Sequence, residues 1–260
     1  MLFNTLEFLI FFTVVTSIYY LLPQKYRWIH LLLSSCIFYM SFIPVYILIL
    51  FVTIIIDYLA GIWIAQSTGK TKKFYLILSI FTTCLVLFIF KYFDFFDQNL
   101  EYLLKFFDIP YSSKVHSIIL PIGLSFHTFQ SLSYVIEVYH GRQKAERHFG
   151  IYSLYVMFYP QLVTGPIERP QNLLVQLREH KVFKSWNIIS GLRLILFGLF
   201  VKMVIADNLA SYVDLVYKNP SSYNGKSIAT ALFFILFRYM ETFLVTQQLL
   251  LEQQELWVLI

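Results

Sequence analysis

Polar residues, prolines and glycines interrupt the apolar stretch from residue 118 to residue 208, and these are the positions where chemistry could take place. The candidates for lining a polar funnel are Gln130, Pro160, Gln161, Gly165, Pro166, Glu168, Arg169, Arg193 and Lys202. Prolines and glycines at membrane depth free backbone groups that hydrocarbon cannot satisfy, so their segments must pack in protein or line a wet cavity. Ionisable residues at that depth are functional-site candidates. The stretch is therefore predicted to form a kinked, polar interior.

Four of these candidates carry charge. Glu168 and Arg169 directly follow Gly165 and Pro166, so the turn could project a carboxylate and a guanidinium into a funnel mouth. An exposed ion pair is an equally well supported reading. Arg193 and Lys202 lie within an apolar run and would be costly facing lipid, so each is predicted to face protein or water. Snorkelling toward the interface is the alternative, above all for Lys202 near the end of the run.

His127 is the histidine best placed for acid–base chemistry, because it lies inside an apolar run a few residues after Pro121 and Gly123. A buried imidazole there could act as a base near neutral pH. We favour the alternative, a histidine whose ring is satisfied by a neighbouring helix. No pair of histidines has the spacing of a metal site. Cys36 and Cys84 sit in apolar runs and are interpreted as packing residues, so no metal and no bound cofactor are expected.

Composition restricts the class of protein. Hydrophobic residues make up 58% of the chain and charged residues only 13%, which is typical of an all-α polytopic membrane protein. The net charge of +5 comes from short loops between apolar runs, which indicates membrane topology instead of nucleic-acid binding. Gly-x-Ser-x-Gly, phosphate-loop and dinucleotide motifs are missing from the sequence, so hydrolase and nucleotide-enzyme readings have no support.

A membrane-spanning helix needs about 20 largely apolar residues. The predicted spans are residues 6–22, the run 28–66 divided into two passes at Pro44, and residues 74–90, 115–139 and 186–206, with a last run starting near Ile228. Residues 91–114 are predicted to be an amphipathic interfacial helix, with an ordinary loop as the alternative. Residues 149–163 are short and have basic residues on both sides, so they are predicted to be a re-entrant element.

Three basic clusters predict the orientation in the membrane. Lys25 with Arg27, the lysines of residues 70–73 and the basic loop 142–147 all fall on one side of the predicted spans. Positive-inside bias makes that side the cytoplasm. The chain is therefore predicted to be a multi-pass protein of the plasma or inner membrane with its N-terminus outside.

Several segments resemble a known family. They are residues 1–4, 120–130, 132–134, 158–169, 191–200 and 204–210. This combination resembles the membrane-bound O-acyltransferase family, in particular the bacterial branch that acetylates alginate and other exported polysaccharides. The resemblance extends to about Phe237 and implies the N-terminal part of that many-helix fold, with funnels on both faces.

The resemblance also implies a reaction and its participants. The acyl donor would be a thioester such as acetyl-CoA or an acyl carrier, and extracytoplasmic acetyltransferase partners would pass the group to the exported polysaccharide. Membrane lipid is also an expected partner, because it would surround the protein. The family's catalytic histidine lies in a Trp-His segment beyond the matched region, so this chain is expected to be inactive. His127 stands where related sequences commonly carry tyrosine.

The resemblance stops abruptly after Phe237. The family continues with Tyr-x-Asp-Phe-Ser-Gly-Tyr-Ser, whereas residues 238–248 read Arg-Tyr-Met-Glu-Thr-Phe-Leu-Val-Thr-Gln-Gln. One choice of codons yields the family motif in one frame and residues 237–257 in the other. We therefore predict a membrane domain over residues 1–236 and a frameshifted tail over 237–260, which makes the chain a truncated member. A native amphipathic helix is the alternative.

Two functions from other classes remain open at this level. A small-molecule permease could use Arg193 and Lys202 in a transport pathway. A non-catalytic membrane scaffold could instead bind the extracytoplasmic acetyltransferase partners. Uptake without acyl transfer would favour the first, and partner binding without activity the second.

Overall fold

The computed structural model describes residues 5–107, 121–162, 167–179 and 185–236, and this part of the chain contains helices and no strands. Residues 11–163 and 167–178 form one compact unit, and residues 2–10, 164–166 and 179–260 belong to a second. The predicted all-α class is confirmed. The domain boundary at residue 236, the tail 237–260, and Gly165 with Pro166 fall outside the described residues.

The described residues of the first unit form eight helices. They are α1 (Leu6–Leu21), α2 (Gln24–Met40), α3 (Tyr46–Gln66), α4 (Gly69–Phe106), α5 (Leu124–Tyr139), α6 (Phe149–Met157), α7 (Tyr159–Leu162) and α8 (Pro170–Gln176). Of α1, the residues from Phe11 onward belong to this unit. Pro23 separates α1 from α2, and Pro44 separates α2 from α3, as predicted from the inability of proline to continue a helix. Gly123 begins α5 with a left-handed φ of 77°, a conformation that glycine adopts without strain.

Helix α4 corrects the prediction for residues 91–114. It runs without a break for 38 residues, so there is no separate interfacial helix or loop before Phe107. Its interior has neither proline nor glycine, and nothing in the local chemistry stops helix propagation. Near its end, Lys105 Nζ lies 2.7 Å from Glu101 Oε1, an i,i+4 pair that supports a helix.

Small residues set how closely the helices of the first unit approach. Helix α3 packs against α4 and α5, and α2 packs against α6. At Gly61 of α3, a methyl group would come within 2.7 Å of the Tyr134 ring of α5. Glycine at this position therefore allows the two helices to come together, as small residues do in membrane helix pairs.

The second unit contains a long, irregular helical segment and a shorter helix. Helix α9 (Ser185–Phe200) continues through a π-helical segment (Val201–Ala206) into α10 (Asp207–Lys218). The predicted span 186–206 is thus too short, since the helix continues for another twelve residues. After a 3₁₀ turn at Pro220–Ser222, helix α11 (Gly225–Leu236) begins three residues before Ile228.

Within the described part of the chain, three helices are long and apolar enough to cross a membrane: Tyr46–Gln66, Gly69–Phe106 and Ile189–Lys218. Leu6–Leu21 and Gly225–Leu236 are shorter apolar helices. Apolar side chains remain exposed on these helices, for example Leu6, Leu48 and Phe81 at 71%, 65% and 62%. Such surfaces fit a hydrocarbon solvent, and the chain is a membrane protein by these features.

Candidate functional site

The centre of the first unit is an interrupted apolar element made of α6 and α7. Every residue from 151 to 162 is buried. The helix breaks at Phe158, whose ψ is 113°, and the following proline, Pro160, lies inside α7. The Tyr159 amide donates a hydrogen bond of 3.1 Å to Ser35 Oγ of α2. The prediction that this segment packs in protein is confirmed, and a helix of nine residues is too short to cross a bilayer.

Tyr155 of α6 joins three of the predicted candidates. Its hydroxyl lies 3.2 Å from the Glu168 carbonyl oxygen and 3.4 Å from the Gln130 carbonyl oxygen, so one phenolic proton is shared between two acceptors. At the other end of the residue, Gln161 Nε2 donates to the Tyr155 carbonyl oxygen at 2.9 Å. Sequence reasoning missed Tyr155, because its role depends on partners from three different segments.

Several buried side-chain atoms in this region have no hydrogen-bond partner among the described residues. They are Gln130 Nε2, Gln161 Oε1, Ser131 Oγ, Tyr152 OH and both ring nitrogens of His127. Buried polar groups are almost always hydrogen-bonded to protein or to water. The Ser131 hydroxyl faces Tyr152 and Asp57, so the amides of Gln130 and Gln161 and the His127 ring are the groups left to bind water or a polar ligand.

His127 contradicts its sequence-based interpretation. Its side chain is only 2% exposed, as expected for a buried histidine, but within the described part of the chain no helix supplies a partner to either ring nitrogen. A general base accepts a proton from a group within hydrogen-bond reach, and a hydrogen bond at its other ring nitrogen usually orients a histidine base. Among the described residues, His127 has no such orienting partner.

A buried carboxyl group in α3 was not anticipated. Asp57 is fully buried, and its Oδ1 accepts hydrogen bonds from Ser79 Oγ at 2.7 Å and Thr83 Oγ1 at 2.9 Å, both on α4. The Ser131 hydroxyl of α5 faces the same carboxyl group without a hydrogen bond of normal geometry. Its sequence signal was a lone acidic residue inside the apolar run 46–66, which marks a functional candidate in a membrane helix.

A second missed residue, Glu146, fixes the loop after α5. Its side chain is 5% exposed, and its Oε1 forms an ion pair with Arg178 Nη2 and accepts from the His148 amide at 2.8 Å. The Glu146 amide donates to the Tyr134 hydroxyl at 2.8 Å. Arg178 follows α8 directly, so this pair connects the loop to the end of α8. The sequence-based reading of this loop noted only its basic residues.

Glu168 and Arg169 lie at the start of α8. Arg169 is exposed at the N-cap position without a side-chain capping hydrogen bond, while Glu168 is half-buried. Burial raises the pKa of the Glu168 carboxyl, and hydrogen bonds from the Arg169 backbone and the Asn172 side chain oppose that shift. Helix α8 is held in turn by Gln171 Nε2, which donates to Glu137 Oε2 of α5 at 2.6 Å. The funnel mouth predicted at this turn includes Gly165 and Pro166, outside the described residues.

The remaining two candidates belong to the second unit. Arg193 is exposed on α9. Lys202 lies in the π-helical segment, and its Nζ contacts Asp207 at 3.1 Å from Oδ1 and 3.2 Å from Oδ2. A π-turn in an α-helix is rare and often accompanies a functional position. The ion pair, with Lys202 33% and Asp207 51% exposed, joins Lys202 to a residue five positions further along the same helical segment. That Lys202 faces protein or water stays a prediction.

Comparisons with curated proteins bear on the family. The chain is 31% identical over 227 residues to the "Probable alginate O-acetylase AlgI" of Pseudomonas aeruginosa, covering 85% of this chain and 43% of that protein. It is 30% identical over 257 residues to the "Peptidoglycan O-acetyltransferase" of Helicobacter pylori, covering 85% and 47%. The resemblance to polysaccharide O-acyltransferases is confirmed. The Pseudomonas putida alginate O-acetylase is similar at 32% identity over 230 residues, or 85% of this chain and 46% of that protein.

The chain spans about half the length of the curated O-acetylases it matches, between 42% and 53%. No family model matches it. The similarity therefore covers most of this chain but only part of each relative. What the relatives do as whole proteins enters below as a proposal.

Proposed function

We propose that this polypeptide derives from a membrane-bound O-acyltransferase that delivers an acetyl group toward an exported cell-surface polysaccharide. The observation that carries the proposal is the similarity to alginate and peptidoglycan O-acetyltransferases over 85% of the chain. The donor would be a cytoplasmic acyl thioester, acetyl-CoA or an acyl carrier. Extracytoplasmic acetyltransferases would receive the group and transfer it to the glycan.

We further propose a multi-pass orientation in the inner membrane with the N-terminus outside. Lys25 and Arg27 lie at the start of α2, and the lysines of residues 70–73 lie at the start of α4. The third cluster follows the end of α5. With α1 to α4 crossing in succession, the first two clusters share one side, and positive-inside bias makes that side cytoplasmic.

Within the first unit, the element α6–α7 is the part best suited to border a substrate path. It is buried in protein, it is broken at Phe158, and the amides of Gln130 and Gln161 have atoms without partners. We propose that these amides and the half-buried Glu168 bind polar groups of the substrate or water along that path. Tyr155 would be a positioning residue, because it holds Gln130, Gln161 and Glu168 by hydrogen bonds.

The 260-residue chain by itself is expected to transfer no acetyl group. The resemblance places the catalytic histidine in a Trp-His segment, and the sequence contains no Trp-His pair. Loss of a general base costs about 10²- to 10⁴-fold in rate, and His127 lacks an orienting partner within the described residues. The frameshift hypothesis would place the codons of the Trp-His segment in another reading frame of the gene, after the Phe237 codon.

The test compares two proteins in a host deleted for its own polysaccharide O-acetylase and carrying the partner proteins. One is the 260-residue chain, and the other has the reading frame restored after the Phe237 codon. Nuclear magnetic resonance of the exported polysaccharide measures the O-acetyl content. We expect acetylation from the protein with the restored frame and none from the 260-residue chain.

The alternatives give different results. Acetylation by the 260-residue chain would refute its inactivity but support the family function. No acetylation by either protein, with both present in the membrane, would refute the proposed function. A restored frame that lacks Asp-Phe-Ser-Gly-Tyr and Trp-His would refute the frameshift.

A further inference from the structure

A basic cavity of about 530 Å³ lies where α3 and α5 end and α4 begins. Its polar lining consists of Lys72, Lys144, Arg147, Gln66 and Gln143, and the residues around it include no aspartate or glutamate. The volume falls in the range of small-ligand sites, about 300–1,000 Å³. Three cationic side chains and two amides in one concave site are the chemistry that binds a phosphate group.

The cavity is built from fixed elements. Tyr58 of α3 donates a hydrogen bond of 2.6 Å to the Arg147 carbonyl oxygen, which holds the loop against that helix. The neighbouring Glu146 amide is bonded to the Tyr134 hydroxyl at 2.8 Å. On the opposite wall, the Lys72 ammonium lies over the Tyr139 ring, 5.1 Å from its centroid. The loop backbone and the Lys72 ammonium are thus held by packing, while the side chains of Lys144 and Arg147 are exposed at the cavity.

The two carboxylates that are sequence neighbours of lining residues, Glu137 and Glu146, are occupied by other groups. Glu146 is paired with Arg178, and Glu137 lies 3.6 Å from Arg142 and accepts from Gln171. Lys72, Lys144 and Arg147 therefore have no facing carboxylate among the cavity's lining residues. An anion entering the cavity would meet a net positive field.

Aromatic residues place the cavity at the level of the lipid head groups. Trp63 of α3 is 43% exposed and lies one turn before Gln66. Its ring centroid is 5.4 Å from that of Tyr75, which lies one turn after Lys72 in α4. Exposed tryptophan and tyrosine rings mark the membrane–water interface. The cavity therefore opens just outside that interface, where phospholipid phosphates lie.

We propose that this cavity binds the phosphate group of an anionic phospholipid. Basic pockets between the ends of membrane helices are a recurring means of holding such head groups. The interfacial depth favours a lipid phosphate over a phosphate carried by a soluble molecule. Binding here would tie together α3, α4 and the loop after α5, all of which contribute cavity residues.

The test uses the full 260-residue chain purified in neutral detergent, with lipid retention measured by native mass spectrometry. Phosphatidylglycerol and zwitterionic phosphatidylcholine are offered at equal concentrations. We expect preferential retention of phosphatidylglycerol, and about a 25-fold loss of its affinity in K144Q/R147Q, from about fivefold per basic residue. K70Q/K73Q is the matched control, because it removes two charges from the same end of the protein at positions that do not line the cavity.

Each alternative outcome overturns the proposal. Equal losses in both double variants would show that overall surface charge attracts the lipid and that the cavity does not. Displacement of the lipid by millimolar inorganic phosphate, with equally strong phosphate binding in the absence of lipid, would assign the cavity to a soluble phosphate. Should K144Q/R147Q fail to elute as a monodisperse protein, K144Q alone must show the fivefold loss, since Lys144 is exposed.

Discussion

The Tyr155 hydroxyl lies 3.2 Å from the Glu168 carbonyl oxygen, thirteen residues further along the chain. This contact joins α6 to the segment that leads into α8, and the same hydroxyl reaches the Gln130 carbonyl oxygen of α5. A single buried phenol thus sets the relative positions of candidate residues from separate elements. The Gln130 contact is buried and the Glu168 contact is partly buried, and each carbonyl oxygen accepts this hydrogen bond from outside its own segment.

Replacing Tyr155 with phenylalanine is expected to lower the free energy of unfolding by about 1 kcal/mol, because it removes a buried hydrogen-bond donor and leaves its acceptors. Tyr152→Phe is the matched control. Tyr152 lies in the same helix and is also fully buried, but among the described residues its hydroxyl forms no hydrogen bond of normal geometry and faces the Ser131 hydroxyl. Denaturation in mixed micelles measures both. An equal loss in the two variants would contradict the role assigned to the Tyr155 hydroxyl.

Gly61→Ala is expected to destabilise the protein by about 1–3 kcal/mol, the usual cost of overpacking. Its methyl group would come 2.7 Å from the Tyr134 ring, and that ring is buried between helices. Gly225→Ala provides the control, since nothing lies within 4 Å of the added atom. Thermal unfolding followed by circular dichroism reports both changes. If Gly61→Ala is as stable as Gly225→Ala, the close approach of α3 and α5 is wrong.

Arg178→Gln is expected to cost about 1–2 kcal/mol, because it leaves the buried Glu146 carboxylate without its ion pair. This expected cost is lower than that of breaking a fully buried ion pair, because the Arg178 side chain is 52% exposed and solvent screens the interaction. Adding Glu146→Gln should recover part of the loss, which a double-mutant cycle measures. Arg142→Gln is the surface control: its guanidinium is 68% exposed and 3.6 Å from Glu137, so its expected cost is below about 0.5 kcal/mol.

The proposed orientation predicts which cysteines an impermeant maleimide reaches in intact cells. With Cys36 and Cys84 replaced by serine, Gln143→Cys should label only after permeabilisation, because the loop after α5 is proposed to be cytoplasmic. Ser41→Cys, between α2 and α3, should label from outside. Labelling of Gln143→Cys in intact cells would reverse the orientation.

Local chemistry was enough to predict many helix boundaries. Proline cannot continue the interior of a long helix, so Pro23 and Pro44 made the bounds of α1, α2 and α3 predictable within a few residues. The family resemblance was likewise carried by contiguous segments and is confirmed by the curated relatives. Where charges were taken as a boundary, at residues 91–114, the prediction was wrong, because charged residues do not stop a helix in the absence of proline or glycine.

The contacts that build the candidate site could not be predicted from local sequence chemistry. Tyr155, Asp57 and Glu146 each have partners on other segments of the first unit, and residue spacing says nothing about which side chains meet across helices. His127 illustrates the same limit, because the sequence predicted a satisfied ring and packing left both nitrogens without a partner among the described residues. The sequence by itself determined an all-α membrane protein and its family resemblance, since hydropathy and helix breakers act locally. Only the tertiary structure decided which buried polar groups are paired, because pairing depends on how the helices pack.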